Sequence, residues 1–240
     1  MNDASELSRD IAAHLAHVRE RMAVAAKKAG RAPSDVRLVA VTKSKSIDVV
    51  EAASRAGQTV FGENYAQEAE AKMMARPDLE WHFIGGLQSN KVRLVAGRAK
   101  LIESVDRLKL GDEIARAARS RNIVQDILVQ VHIGSEGTKL GVDPSEGADL
   151  VAKLADIQGL RVRGLMSLPP LAGNERDARA QFASLRGHLE KWRTGLAPED
   201  AKYFTELSMG TSADFEWAIL EGATLVRVGT MLFGPRERKA

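Results

Sequence analysis

The sequence predicts an α/β fold: a single (β/α)8 TIM barrel with an extra helix at its N-terminus. Eight short apolar runs alternate with helical patterns. Together they fill roughly 200 residues, the length such a barrel needs. No linker, low-complexity tract or change of composition divides residues 1–240, so one domain is expected. Repeated βα units force parallel pairing, and right-handed crossovers place the helices outside. An open doubly wound sheet is the competing arrangement. It would usually carry a glycine-rich loop after its first strand, and "TKSKS" (42–46) contains no glycine.

The elements follow in order. Leu7, Ile11, Leu15, Val18 and Met22 recur at spacings of three and four, so residues 5–29 read as one helix, stopped at Gly30. The strands are "RLVAVTK" (37–43), "TVFGEN" (59–64), "EWHFIG" (80–85), "KLIESVD" (100–106), "DILVQVHI" (126–133), "LRVRGLMSL" (160–168), "YFTELSM" (203–209) and "TLVRVGT" (224–230). Helical patterns lie at 47–56, 66–75, 88–97, 107–121, 144–156, 174–193 and 213–221, and "MLFGPRE" closes the chain.

Composition narrows the function. The chain is 44% hydrophobic and 28% charged, with 35 basic against 32 acidic residues and a net charge of +3. Charges of both signs alternate without a basic block, which gives little support for a nucleic-acid partner. There is no cysteine, hence no disulfide, thiol nucleophile or cysteine-ligated metal. The N-terminus "MNDASELSRDIAAHLAHVRE" lacks the apolar core of a secretory signal, and no apolar run is long enough to span a bilayer. A cytoplasmic protein without membrane contact is the expectation.

In a barrel of this kind the chemistry sits at the C-terminal ends of the strands. Those ends hold Lys43, Glu63 and Asn64, Gly85 and Gly86, Asp106, His132 and Gly134, Met166 and Ser167, residues 208–212, and Arg227, Gly229 and Thr230. No grouping of His and carboxylates suits a metal. Lys43 ends a buried-looking strand. It is either a solvated strand end or a nucleophile for a carbonyl, which partial desolvation and a nearby cation would favour. Lys45 is that cation or a surface charge. "ELSMGTSAD" (206–214) offers Ser208, Thr211 and Ser212 with Gly210, either to a phosphate or as the cap of the next helix. "RVGT" (227–230) ends the last strand, where barrels often bind phosphate. Arg227 lies within an apolar strand and needs a partner, either a barrel carboxylate or a ligand atom. His82 inside a strand reads as a satisfied core residue. Lys139, in "GSEGTKLG" (134–141), is a second lysine near the mouth or a surface one.

Together these segments resemble the pyridoxal 5′-phosphate homeostasis proteins, single-domain relatives of the alanine racemase barrel (fold-type III). "LVAVTKSKS", "FGENYAQEA", "WHFIGGLQSNK", "IESVD", "RGLMSLP", "ELSMGTSADFEWAI" and "LVRVGTMLFG" carry the resemblance, in that family's order and over nearly the whole chain. It implies pyridoxal phosphate as cofactor, held as an internal aldimine on Lys43. It also implies that Arg227 faces the pyridine nitrogen, that Ser212, Gly229 and Thr230 hold the phosphate, that Asn64 lies beside the ring, and that Ser208 is cofactor-binding as well. Thr211 stands where the family usually has Met, His132 where Asn is common, and Ser46 where a proline is usual.

The resemblance further implies a role in vitamin B6 and amino-acid homeostasis without catalysis. The expected form is a monomer with transient contact to apo-enzymes that use the cofactor. The alternative is an amino-acid racemase. Racemisation needs acids and bases on both faces of the substrate carbon. The sequence ends at Ala240, straight after the barrel, so a C-terminal domain carrying the second-face tyrosine is not expected. Leu168 takes the place of the histidine that racemases set near the ring. Fold alone would also admit a sugar-phosphate enzyme.

Overall fold

The computed structural model describes residues 2–134 and 140–235. Eight described strands close into a parallel barrel in chain order: β1 (Arg37–Val41), β2 (Val60–Glu63), β3 (Glu80–Phe83), β4 (Leu101–Val105), β5 (Gln125–Gln130), β6 (Leu160–Met166), β7 (Glu206–Ser208) and β8 (Leu225–Val228). The seam is β1 against β8, with Val39 opposite Arg227. Around the barrel run α1 (Asn2–Lys28), α2 (Ile47–Arg55), α3 (Ala66–Ala75), α4 (Val92–Val95), α5 (Leu108–Arg119), α6 (Pro144–Ala155), α7 (Glu175–Arg193), α8 (Pro198–Ala201), α9 (Phe215–Leu220) and α10 (Thr230–Phe233). No helix among the described residues is long and apolar enough to cross a membrane.

The period of two along each strand decides which side chains enter the barrel. Leu38, Ala40, Phe61, Trp81, Phe83, Ile127, Val129, Leu207, Val226 and Val228 face outward and pack in one continuous core with the helices. The alternate set faces inward. Val39, Val60, Leu101, Leu128, Met166 and Leu225, one from each of six strands, form a separate apolar cluster. On the same inward faces stand Arg37, Glu80, His82, Glu103, Glu206, Ser208 and Arg227. The barrel interior is therefore part apolar layer, part charged network, and extending the alternation past β1, β2 and β8 directs Lys43, Asn64 and Gly229 into its C-terminal mouth.

Several boundaries move inward from the sequence pattern. The pattern at 88–97 forms a 3-10 turn (Ser89–Lys91) and one turn of α4, because Ala96 is extended and Gly97 has φ +79°. β7 keeps only three residues, since Tyr203 is held in a turn by Asp200. Thr230 leaves β8 and starts α10, with Gly229 as its cap. Pro198, fixed at a helix start, gives a short α8 that apolar spacing alone did not indicate.

Candidate functional site: the C-terminal mouth of the barrel

A cavity of about 440 Å³ opens at the mouth. Lys43, Lys45, Asn64, Thr211, Ser212, Arg227, Gly229 and Thr230 line it, with Val41, Ile84, Met166, Leu168, Leu171 and Phe233 as apolar walls. Six of the seven predicted site residues thus meet in one cavity. The seventh, Ser208, does not reach it. Ser208 is wholly buried, donating to Glu103 Oε2 and accepting from Arg227 Nη1. It shares the inward face with Arg227 but lies one layer deeper, so it touches the site through the arginine.

Arg227 is the charged floor. Its Nη1 donates to Ser208 Oγ at 2.6 Å and its Nη2 to the Ser167 carbonyl at 2.7 Å, and Glu103 lies 4.0 Å away. Burial pushes the guanidinium below its ordinary value, opposed by the charges of Glu103 and Asp214. The network continues downward. Glu103 Oε1 meets His82 Nδ1 at 2.6 Å, and His82 Nε2 meets Glu80 Oε1 at 2.9 Å. Arg37 then donates to Glu80 at 3.0 Å. Burial opposes charge on His82, but hydrogen bonds to two carboxylates outweigh it and raise the imidazole's pKa. His82 is the satisfied core residue its sequence context indicated.

Lys43 is half-buried at the rim. The residues around it are tightly held. Thr42 Oγ1 donates to Glu63 Oε1 at 2.7 Å, and Lys72 Nζ reaches both Glu63 Oε1 at 2.6 Å and the Thr42 carbonyl at 2.7 Å. Burial raises the Glu63 carboxyl despite Lys72. Ser44 adopts φ +59°, and its N–H donates to Glu68 at 2.9 Å. None of Thr42, Glu68 and Lys72 was marked by the sequence. Asn64 follows β2, the neighbour of β1, and its Oδ1 is buried without a partner. The next strand end is fixed because Gly85 packs against the Asn64 backbone, where any Cβ would collide with the Asn64 carbonyl, and Ser104 Oγ grips the Gly85 carbonyl.

The loops after β7 and β8 are joined. Gly229 N–H donates to Ser212 Oγ at 3.2 Å. Ser212 does not cap the following helix: Asp214 accepts from the Thr211 N–H and hydroxyl and shapes that turn. Gly210, at φ +88°, lies so close to Phe215 and Ala218 that a side chain there would clash. Hydroxyls of Thr211, Ser212 and Thr230 thereby gather beside Gly229 at the rim. Lys45 Nζ donates to the Pro235 carbonyl at 3.2 Å, tying the first loop to the last. Leu168 is exposed on the cavity wall. His132 is half-buried beyond the end of β5, paired through its backbone with Val142, and is not among the cavity residues. Lys139 lies outside the described residues. No cluster of metal-binding side chains occurs among the described residues.

The family described as "Alanine racemase, N-terminal domain" matches residues 13–237. The pyridoxal phosphate homeostasis protein of Aquifex aeolicus is 43% identical over 225 residues, covering 93% of this chain and 97% of that one. That of Escherichia coli is 37% identical over 235 residues, with 95% and 97% covered. Among solved structures, PipY of Synechococcus elongatus with PLP bound superposes with a TM-score of 0.80 at 35% identity, over 93% of this chain and all of that one. With its barrel, its mouth residues and full-length relatives of this kind, the chain belongs to the alanine racemase N-terminal domain family and, within it, to the pyridoxal phosphate homeostasis proteins.

Proposed function

We propose that this protein binds pyridoxal 5′-phosphate at the barrel mouth, through a Schiff base to Lys43, and serves intracellular vitamin B6 and amino-acid homeostasis rather than catalysis. The observation that carries the reading is the convergence of Lys43, Asn64, Arg227 and the Ser212–Gly229–Thr230 rim on one cavity. The residues suit the group. An amine and several hydroxyls line the cavity, a buried guanidinium lies in the floor, and the Asn64 Oδ1 has no partner. The relatives' names and the PLP-bound PipY structure support it.

Pyridoxal phosphate, when bound, supplies an aldehyde that condenses with an amine and a ring able to accept electrons. Arg227 sets the limit on the second property. A guanidinium facing the pyridine nitrogen donates a hydrogen bond without giving up its proton, so that nitrogen stays unprotonated. Electron withdrawal into the ring is then weak, which disfavours removal of a substrate α-proton. Transfer to apo-enzymes in the cytoplasm, from a monomeric holder, fits such a passive site.

The test is an absorbance spectrum of the loaded protein before and after borohydride, followed by peptide mass mapping. A visible band that borohydride bleaches, with the mass of the reduced adduct on Lys43, is expected. Lys43→Ala should lose the band and keep the fold. An unchanged band in that variant would move the site elsewhere.

A further inference from the structure

The loop carrying Lys43 is gripped by a helix that the cofactor-binding assignment does not include. Glu68 and Lys72 sit four residues apart on α3, so they share one face. Lys72 Nζ holds the carbonyl of Thr42 at 2.7 Å, and Glu68 Oε2 holds the N–H of Ser44 at 2.9 Å. These are the residues immediately before and after Lys43. The two side chains are themselves 4.0 Å apart. Glu63 completes the grip by accepting from both Thr42 Oγ1 and Lys72 Nζ.

The conformation held in this way is not one the chain would choose alone. Ser44 is one of only two non-glycine residues with positive φ among the described residues, at +59°. A left-handed conformation carries a steric cost for any residue with a Cβ. The Glu68 carboxylate meets the Ser44 N–H in that conformation, and a hydrogen bond to a charged acceptor offsets that cost. The Lys45 N–H closes the same turn on the Thr42 carbonyl at 3.0 Å, and Glu68 adds the side-chain bond that favours the left-handed Ser44 and with it the direction of Lys43.

We propose that Glu68, with Lys72 behind it, is a positioning residue for Lys43: α3 fixes the backbone on both sides of the lysine so that its amine is aimed at the carbonyl carbon of its ligand. The inference rests on the reading of Lys43 as the covalent site. In that step the neutral Lys43 amine forms a C=N bond to the aldehyde carbon, and its two protons leave with the aldehyde oxygen as water. Holding the amine in place beforehand favours the bonded state without touching contacts to the phosphate or ring. Glu68 is suited to a test because its side chain is 39% exposed, so its removal leaves no buried hole. Lys72 is buried against Glu63, and removing it would strand a carboxylate.

The experiment compares wild type, Glu68→Ala and Glu68→Gln in the full chain with two ligands. One is pyridoxal 5′-phosphate. The other is 4′-deoxypyridoxine 5′-phosphate, which keeps the ring and phosphate but has no aldehyde. Glu68→Ala should weaken pyridoxal phosphate binding about tenfold, the scale of one charged hydrogen bond, and leave the deoxy ligand unaffected. Glu68→Gln should restore most of the loss, because its amide oxygen still accepts the Ser44 N–H. Equal weakening of both ligands, or no change in either, would overturn the clamp. Borohydride mapping of wild type separates the two levels. An adduct elsewhere than Lys43 removes the underlying assignment and the clamp together, whereas an adduct on Lys43 with an unaffected Glu68→Ala variant removes only the clamp.

Discussion

Glu103 and Arg227 face each other inside the barrel with the Ser208 hydroxyl between them, 2.5 Å from the carboxylate and 2.6 Å from the guanidinium. Both charges are almost fully buried. Glu103 also holds His82, and its carboxyl is kept low: burial would raise it, but the imidazole and guanidinium outweigh burial. Glu103 therefore faces both Arg227 and His82, sharing the histidine with Glu80.

Glu103→Gln should accordingly be costly. Removing one partner of a buried pair leaves an uncompensated charge, at about 3–5 kcal/mol. Urea unfolding of the ligand-free protein measures it. A loss near 1 kcal/mol, the scale of an exposed pair, would show that water reaches Arg227 and that Glu103 does not hold it.

The sequence made part of this site legible, and the reason is geometric. Strand alternation assigns Lys43, Asn64, Arg227 and Gly229 to the inner face, and strand ends assign them to the mouth. Both follow from local pattern. Ser208 obeys the same alternation yet lies beneath the arginine, because depth within a barrel depends on strand stagger, which local pattern does not carry. Glu103 stands out as an acid within "KLIESVD", but its partners come from β3, β7 and β8 and are defined only by closure. Thr42 and Lys72 were the least visible. Thr42 faces out of the barrel, where the pattern suggests helix packing, and Lys72 reads as one more solvent-facing lysine until α3 docks on β1 and β2.

The rim formed by two loops predicts a ligand-selective effect. Ser212 Oγ and Thr230 sit beside Gly229, and Lys43 lines the same cavity from the end of β1. Ser212→Ala with Thr230→Val removes hydroxyls from one end only. Binding of pyridoxal phosphate should weaken, by about 1.5–3 kcal/mol for each lost bond to a charged oxygen, and binding of pyridoxal should change little. Parallel titrations of both ligands by visible absorbance decide it. Equal weakening would mean that the hydroxyls serve the loops through contacts such as Ser212 to Gly229.

The interior network also fixes how stability responds to pH. Glu80 is depressed to about 2 from 4.5, chiefly by its hydrogen bond to His82, against burial and with help from Arg37. A depressed carboxyl contributes stability that is present above pH 4.5 and lost as pH falls through about 2. His82 has the opposite sign. Its pKa is raised above the ordinary 6.5, so its contribution is complete below pH 6.5 and is lost as pH rises through the higher folded value. Glu63, raised by burial, also loses stability as pH rises from 4.5. The wild-type profile alone therefore does not isolate the histidine. The difference between wild type and His82→Gln cancels Glu63, which is common to both, and reads His82 together with its partners Glu80 and Glu103. Urea midpoints measured from pH 5 to pH 9 should show the wild-type advantage shrinking on the alkaline side. A difference that stays flat or grows with rising pH would mean that His82 is neutral between its two carboxylates.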